Sequence, residues 1–200
     1  MSLLSGRWLG GLGTSAFVLA ALAVGRVVGD QLPDPFEPLS APREHAVGVG
    51  ETAYLREAEL TVTGTRLGPL LDDGLSPVPT PGIWLVVDLE LTGAGSDSQL
   101  RTWEVVAADG TSWAQTRGLT RTCSLVPPGI TQRCSVALEV LPAALPGATL
   151  RLGTASDLRY DDVAVVELGL TAADVEAAAS DAPVATLPLE LVGADGQGAP

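Results

Sequence analysis

From Ala46 onward, polar and apolar residues alternate along much of the chain. That is the pattern of β-strands with one face buried. Glu59-Leu60-Thr61-Val62-Thr63-Gly64-Thr65 alternates and carries β-branched residues, so it reads as a half-buried strand. The strongest case is Ile83 to Leu91. Ile83, Leu85, Val87, Leu89 and Leu91 share one face, whereas Asp88, Glu90 and Thr92 lie on the other. Between these two strands, residues 68–82 read as a long Pro-rich loop.

The alternation continues through Trp103–Ala107, and Asp109-Gly110 then marks a hairpin because its turn requires positive φ. Thr111–Gln115 supplies the return strand. Gln132, Cys134, Val136, Leu138 and Val140 share one face of the next strand, and Thr149–Leu152 and Val163–Leu168 add two more. About seven or eight short strands, without intervening helices, predict an antiparallel β-sandwich of immunoglobulin type over residues 47–170. A barrel is the alternative. Thr171 followed by Asp174 is a capping box and predicts a short helix over 171–179. The rest of 171–200 reads as a flexible tail, with a short extended segment at Thr186–Val192.

The first 29 residues follow another pattern. Trp8 to Gly25 is uncharged and mostly apolar, flanked by Arg7 and Arg26. Extended through Val28, it meets the roughly 20 residues that a helix needs to cross a bilayer. Residues 1–29 therefore read as a single-pass transmembrane anchor. Charge bias places the N-terminus inside and the following domain outside the cytoplasm. The competing reading is a cleaved signal peptide, for which Ala21-Leu22-Ala23 supplies the small-residue site, giving a secreted protein. Residues 30–46 contain four prolines and read as a semi-rigid stalk that includes the sole histidine, His45.

Composition sharpens this division. Of 200 residues, 46% are apolar, too many for a disordered chain. The net charge is -13, with 11 Arg and no Lys. Residues 30–200 hold nine arginines and all 24 acids, a net of -15. Such a charge argues against a nucleic-acid partner. The absence of Lys and Asn and the scarcity of Ile fit a high-GC, actinobacterial type of genome.

Candidate chemistry is sparse. Cys123 and Cys134 flank a Pro-Pro-Gly turn and read as a structural disulfide in an oxidising compartment. Closing a loop of about 12 residues contributes roughly 3 kcal/mol. Asp72-Asp73 and Asp161-Asp162 read as solvated loop acids, because the ligand spacing of a calcium loop is missing. The sequence carries no nucleophile elbow, phosphate loop or zinc-protease motif. The protein is therefore read as a non-enzyme, with no metal and no cofactor. Trp84, Trp103 and Trp113 fall in strands, where core packing is the ordinary reading; the alternative, with Trp84 and Trp103 facing away from the strongest apolar stripe, makes them and Tyr160 the candidate interaction surface.

Residues 47–170 resemble an extracytoplasmic immunoglobulin-like domain of unknown function, common in Gram-positive secreted proteins and lipoproteins. They are also similar in kind to small secreted immunoglobulin-like mycobacterial antigens. The resemblance is carried by Leu60–Thr65, Gly82-Ile83-Trp84-Leu85-Val86-Val87-Asp88-Leu89-Glu90-Leu91 and Ala108-Asp109-Gly110-Thr111. Leu125-Val126-Pro127-Pro128-Gly129 and Leu138-Glu139-Val140-Leu141-Pro142 complete it. Thr92-Gly93 stands where an Asn is common, and no lipobox cysteine is present. The resemblance implies fold and location and transfers no catalytic residue.

The function expected from the sequence is a membrane-anchored extracytoplasmic interaction domain, such as an accessory subunit of an envelope or transporter complex. Its partners would be the membrane, through the N-terminal helix, and an envelope protein. The alternatives are a secreted binding module for a small ligand or cell-wall glycan and, more remotely, a hydrolase using a carboxylate pair.

Overall fold

The computed structural model describes residues 17–26, 41–72, 74, 76–114, 123–159, 161–178 and 183–192. The chain divides into two compact units, Met1–Ala41 and Pro42–Pro200. In the first unit, residues 17–26 are helical (α1) and exposed throughout. Phe17, Leu19, Leu22 and Val24 are 75%, 67%, 66% and 63% exposed. The remainder of the anchor reading, 1–16 and 27–29, lies outside the described residues, as does the stalk from 30 to 40. Among the described residues, no helix is long and apolar enough to cross a membrane.

The second unit is a β-sandwich. Its strands are β1 (Arg43–Gly48), β2 (Thr52–Tyr54), β3 (Ala58–Asp72), β4 (Pro77–Gly93), β5 (Thr102–Val106) and β6 (Ser112–Ala114). They continue as β7 (Thr131–Val140), β8 (Thr149–Gly153), β9 (Asp162–Glu167), β10 (Val184–Ala185) and β11 (Glu190–Val192). A short helix, α2 (Ala172–Ala178), precedes β10. One sheet has the order β1-β9-β8-β5-β6, and the other has β10-β3-β4-β7-β11 with β2 also paired to β3.

The period-two faces meet between the sheets. Ile83, Leu85, Val87, Leu89 and Leu91 of β4 are buried with Val136, Leu138 and Val140 of β7. Val105, Leu150, Leu152, Ala164 and Val166 close over them from the opposite sheet. Cys123 and Cys134 form a disulfide within this core, with Cα atoms 5.3 Å apart. The predicted Asp-Gly hairpin is present. Gly110 has φ +85°, and Thr111 N donates to Asp109 Oδ1 at 2.9 Å. Thr171 caps α2, its N–H donating to Asp174 Oδ2 at 2.8 Å while Asp174 N donates back to Thr171 Oγ1 at 3.3 Å.

Three expectations require correction. The stalk does not extend to residue 46. Arg43–Gly48 pairs in parallel with β9, Arg43 opposite Asp162 and His45 opposite Ala164. Proline enrichment stops at Pro42, so the ladder has all its donors from Arg43 on.

Most of the stretch read as a loop is strand: residues 68–72 belong to β3 and 77–82 to β4. Leu70, Leu71 and Asp72 of β3 pair with Pro79, Val78 and Pro77 of β4. Pro77, Pro79 and Pro81 recur every second residue, so their missing donors fall on one edge of the strand. On its other side, β4 pairs with β7 only from Ile83 onward, so no ladder bond is lost there. Gly82 is needed where the pairing begins, because a Cβ would lie 2.4 Å from Val140 O.

The third correction concerns the tail. Residues 184–192 form a strap whose two ends cover opposite edges of one sheet. β10 pairs in parallel with β3, and β11 pairs antiparallel with β7. A half-buried polar clamp holds the strap. Arg66 Nη2 and Nε donate to the Asp88 carboxylate at 2.6 and 2.9 Å, and Ser135 Oγ donates to Asp88 Oδ1 at 2.5 Å. Arg66 Nη1 donates to Ala185 O at 2.5 Å, and Leu187 N donates to Ser135 Oγ at 2.9 Å. Residues 179–182 and 193–200 lie outside the described residues.

Candidate functional site

The predicted interaction residues do not form one surface. Trp84 alternates with the apolar face of β4 and therefore points to the opposite side of the sheet, but it is only 1% exposed. It packs with Leu71, Val86 and Ala137 in a second small core, edged by Val78 and Val184. Its Nε1 donates to Val78 O at 2.8 Å. Trp84 is thus removed from the candidate surface, because the β3–β4 hairpin and the strap cover the face on which it stands. Tyr160 lies outside the described residues.

Trp103 and Trp113 are half-buried and rest against the main core. Trp103 Nε1 is shielded from solvent and has no hydrogen-bond acceptor. Trp113 belongs to a groove of about 460 Å³ at one end of the sandwich. One wall is the β5–β6 turn, with Ala107, Ala108, Asp109 and Thr111. The other is the β7–β8 connection, where Leu141, Ala143, Ala144 and Pro146 surround a 3₁₀ turn at Pro142–Ala144. Proline at the start of that turn supplies the fixed φ it needs and removes a donor it does not use.

The groove is apolar apart from the turn. Leu141 is 57% exposed on its rim. Among the described residues, Asp109 is its one charged side chain. Hydrogen bonds from Thr111, backbone first and then side chain, hold the Asp109 carboxyl below its usual range. The groove therefore combines an indole, aliphatic walls and a fixed carboxylate. It suits recognition of an apolar group that bears a donor or a positive charge.

The acids considered for metal binding are engaged otherwise. Asp72 Oδ1 accepts from Gly74 N at 2.9 Å, and Asp73 lies outside the described residues. Asp162 Oδ1 accepts from Arg43 Nε at 2.7 Å and lies 3.4 Å from His45 Nε2, while Asp161 is 3.8 Å from Arg56. Burial pushes the Asp162 carboxyl upward, but Arg43 and then His45 outweigh it, leaving the group below its usual range. His45 is therefore a partner of the β1–β9 pairing rather than a linker residue. Among the described residues, no three His, Cys, Asp or Glu side chains are grouped to hold a metal ion.

Sequence reasoning missed the groove's second wall and the Arg66–Asp88–Ser135 clamp. The abrupt end of alternation after Val140, followed by Pro142 and Pro146, was the available signal for the wall. The clamp joins positions 66, 88, 135 and 187, which no local pattern connects.

No known protein family matches the sequence, and no curated protein matches it. Among solved structures, the chain is similar to an uncharacterized β-sandwich protein from Clostridium difficile 630. The two share 13% identity, over 68% of this chain and 99% of that one, with a TM-score of 0.44.

Proposed function

We propose that this protein is a membrane-anchored extracytoplasmic interaction domain, serving as an accessory subunit of an envelope complex. The observation that supports it is α1. From Phe17 to Val24 its side chains are apolar on every side, yet Phe17, Leu19, Leu22 and Val24 are each more than 60% exposed. A helix apolar on every side requires an apolar surrounding. The flanking Arg7 and Arg26, and an acidic remainder, favour an N-terminus inside.

The sandwich on this reading is of immunoglobulin type. Strands β3-β4-β7 form one sheet and β9-β8-β5-β6 the other, with the chain changing sheets after β4, β6 and β7. That order follows the Greek key of immunoglobulin domains, with Trp103 on the strand that carries their core tryptophan. A disulfide within the domain suits an oxidising compartment.

Affinity purification of the full-length protein from detergent-solubilised membranes tests this proposal. A stoichiometric membrane partner is the expected result. Recovery only from the medium, with a new N-terminus near Val24, overturns the anchor. The groove beside Trp113 favours a second reading, a module for a small ligand or cell-wall glycan. There, Trp113→Ala should abolish retention on immobilised glycan while leaving the far-UV circular dichroism unchanged.

A further inference from the structure

The sandwich is polarised in charge along its strands. The chain enters it at Arg43, opposite Asp162. The same sheet ends in a row where Gly48 faces Glu167, Glu167 faces Thr149, and Thr149 faces Val106. Arginines gather at the entry end. Arg43 and Arg56 lie beside Asp162 and Asp161, and Arg101 N donates to Gly153 O at 3.0 Å. The far end carries the Trp113 groove, and among the described residues no arginine lines it.

Acids surround that groove. Asp109 is in the β5–β6 turn, Glu167 ends β9, and Asp174 and Glu176 are on α2. Gly147 N donates to Leu170 O at 3.3 Å, which ties the groove's second wall to the segment leading into α2. All four acids are exposed, and none makes an ion pair among the described residues. The groove itself is apolar. Leu141, Ala143 and Pro146 face Trp113 and the Asp109 turn across it, with Leu141 standing in water on the rim.

We propose that this groove docks a segment of a protein partner that carries an apolar side chain beside a lysine or arginine. The inference rests on reading the protein as an interaction domain, and it names the contact that the domain uses. The apolar side chain enters between Leu141 and Trp113 and removes their surface from water. The cationic side chain lies at Asp109. Glu167, Asp174 and Glu176 extend a negative field around the groove, which steers a basic segment toward it and repels an acidic one. A volume of about 460 Å³ suits the side chains of one short segment. A neutral glycan gains nothing from that field, and Trp113, half-buried against the core, offers it only part of a ring.

The test is nuclear magnetic resonance of the full-length protein, ¹⁵N-labelled, in an uncharged detergent at constant ionic strength. The probe is acetyl-Leu-Arg-amide. Acetyl-Leu-Glu-amide and acetyl-Gly-Arg-amide are the controls for the charge and for the apolar side chain. The Trp113 indole N–H signal, assigned with Trp113→Phe, should shift saturably with the probe, and both controls should bind at least about fivefold more weakly. Asp109→Ser leaves a side-chain oxygen to accept from Thr111 N and removes the charge. It should abolish the preference for the Arg peptide over the Glu peptide. Leu141→Ser, on the exposed rim, should weaken the probe by about fivefold. An unchanged Trp84 signal in both variants reports an intact fold. Equal binding of the three peptides, an unaltered preference in Asp109→Ser, or a Trp113 shift with chitotetraose and none with the probe each overturns the proposal. A membrane complex that purifies undiminished with both substitutions also overturns it, and leaves the interaction reading intact. Selective peptide binding without any membrane partner upholds the groove and removes the accessory-subunit role.

Discussion

The two apolar cores of this protein are made differently. The core between the sheets is built from strands that each announce it. Every second residue is apolar from Ile83 to Leu91 in β4 and from Cys134 to Val140 in β7, and Val105, Leu150, Leu152, Ala164 and Val166 face them. Among the described residues the core around Trp84 has four buried members, and its cover comes from Val78 in the hairpin and Val184 a hundred residues on from Trp84. The first core is specified by periodicity and the second by the return of a distant segment. A sheet with one buried face is stable with the other face wet. Here a portion of that other face has been made apolar as well, and it depends on the strap.

Deleting residues 183–200 should have the largest effect on this contrast. It uncovers Trp84 and frees an edge on β3 and another on β7. The expected loss is roughly 5 kcal/mol from packing and hydrogen bonds together, with concentration-dependent association through the open edges. Thermal melting and sedimentation measure both. An unchanged melting temperature would show that the second core stands without its cover.

Next comes a cycle between the cores. Trp84→Ala should cost about 4 kcal/mol and Leu85→Ala about 3 kcal/mol in the intact chain. In the strap-deleted chain the Trp84 cost should fall by more than half, whereas the Leu85 cost should persist. Equal costs in both backgrounds would mean that the two cores are one energetic unit.

Smaller still is the clamp. Asp88→Asn removes the charge that Arg66 meets and weakens the acceptor for Ser135. We expect a loss of about 2 kcal/mol, together with faster hydrogen exchange at Leu187 N. Val136 N, in the main core, should exchange as before.

The smallest effect concerns the opposite sheet. The Asp162 carboxyl lies below its usual value, so its ionised form is favoured in the folded state. Its contribution to stability is complete above the unfolded value of about 4 and is lost as pH falls through the lower folded value. Arg43→Gln should reduce the fall in melting temperature on acidification below about pH 4. An identical acid profile would show that Arg43 does not hold Asp162.

Much of this was legible in the sequence, and the exceptions have a common cause. The inward faces of β4 and β7, the Asp109-Gly110 turn, the Cys123–Cys134 bridge and the Thr171 cap each depend on residues close in sequence. The misread segments depend on partners far away. Pro77, Pro79 and Pro81 resemble a loop until β3 is placed beside them. Arg43–Gly48 resembles a stalk until β9 is placed beside it, and Val184–Ala185 a tail until β3 is. Alternation puts Trp84 on the face opposite Leu85, but exposure does not follow from facing outward when a distant strand lies on top. The Trp113 groove was half visible for the same reason: its turn is local, whereas its second wall arrives from beyond β7.

The parallel pairing of β1 with β9 also sets an order of events. Arg43 and Asp162 are 119 positions apart. At about 5–20 residues per second of synthesis, roughly 6–24 s separate the appearance of the two strands. β1 is therefore among the earliest strands made and among the last that can dock, a long-range closure of the kind that slows folding. Throughout that interval β1 waits with one edge unpaired, and the chain that precedes it is already made.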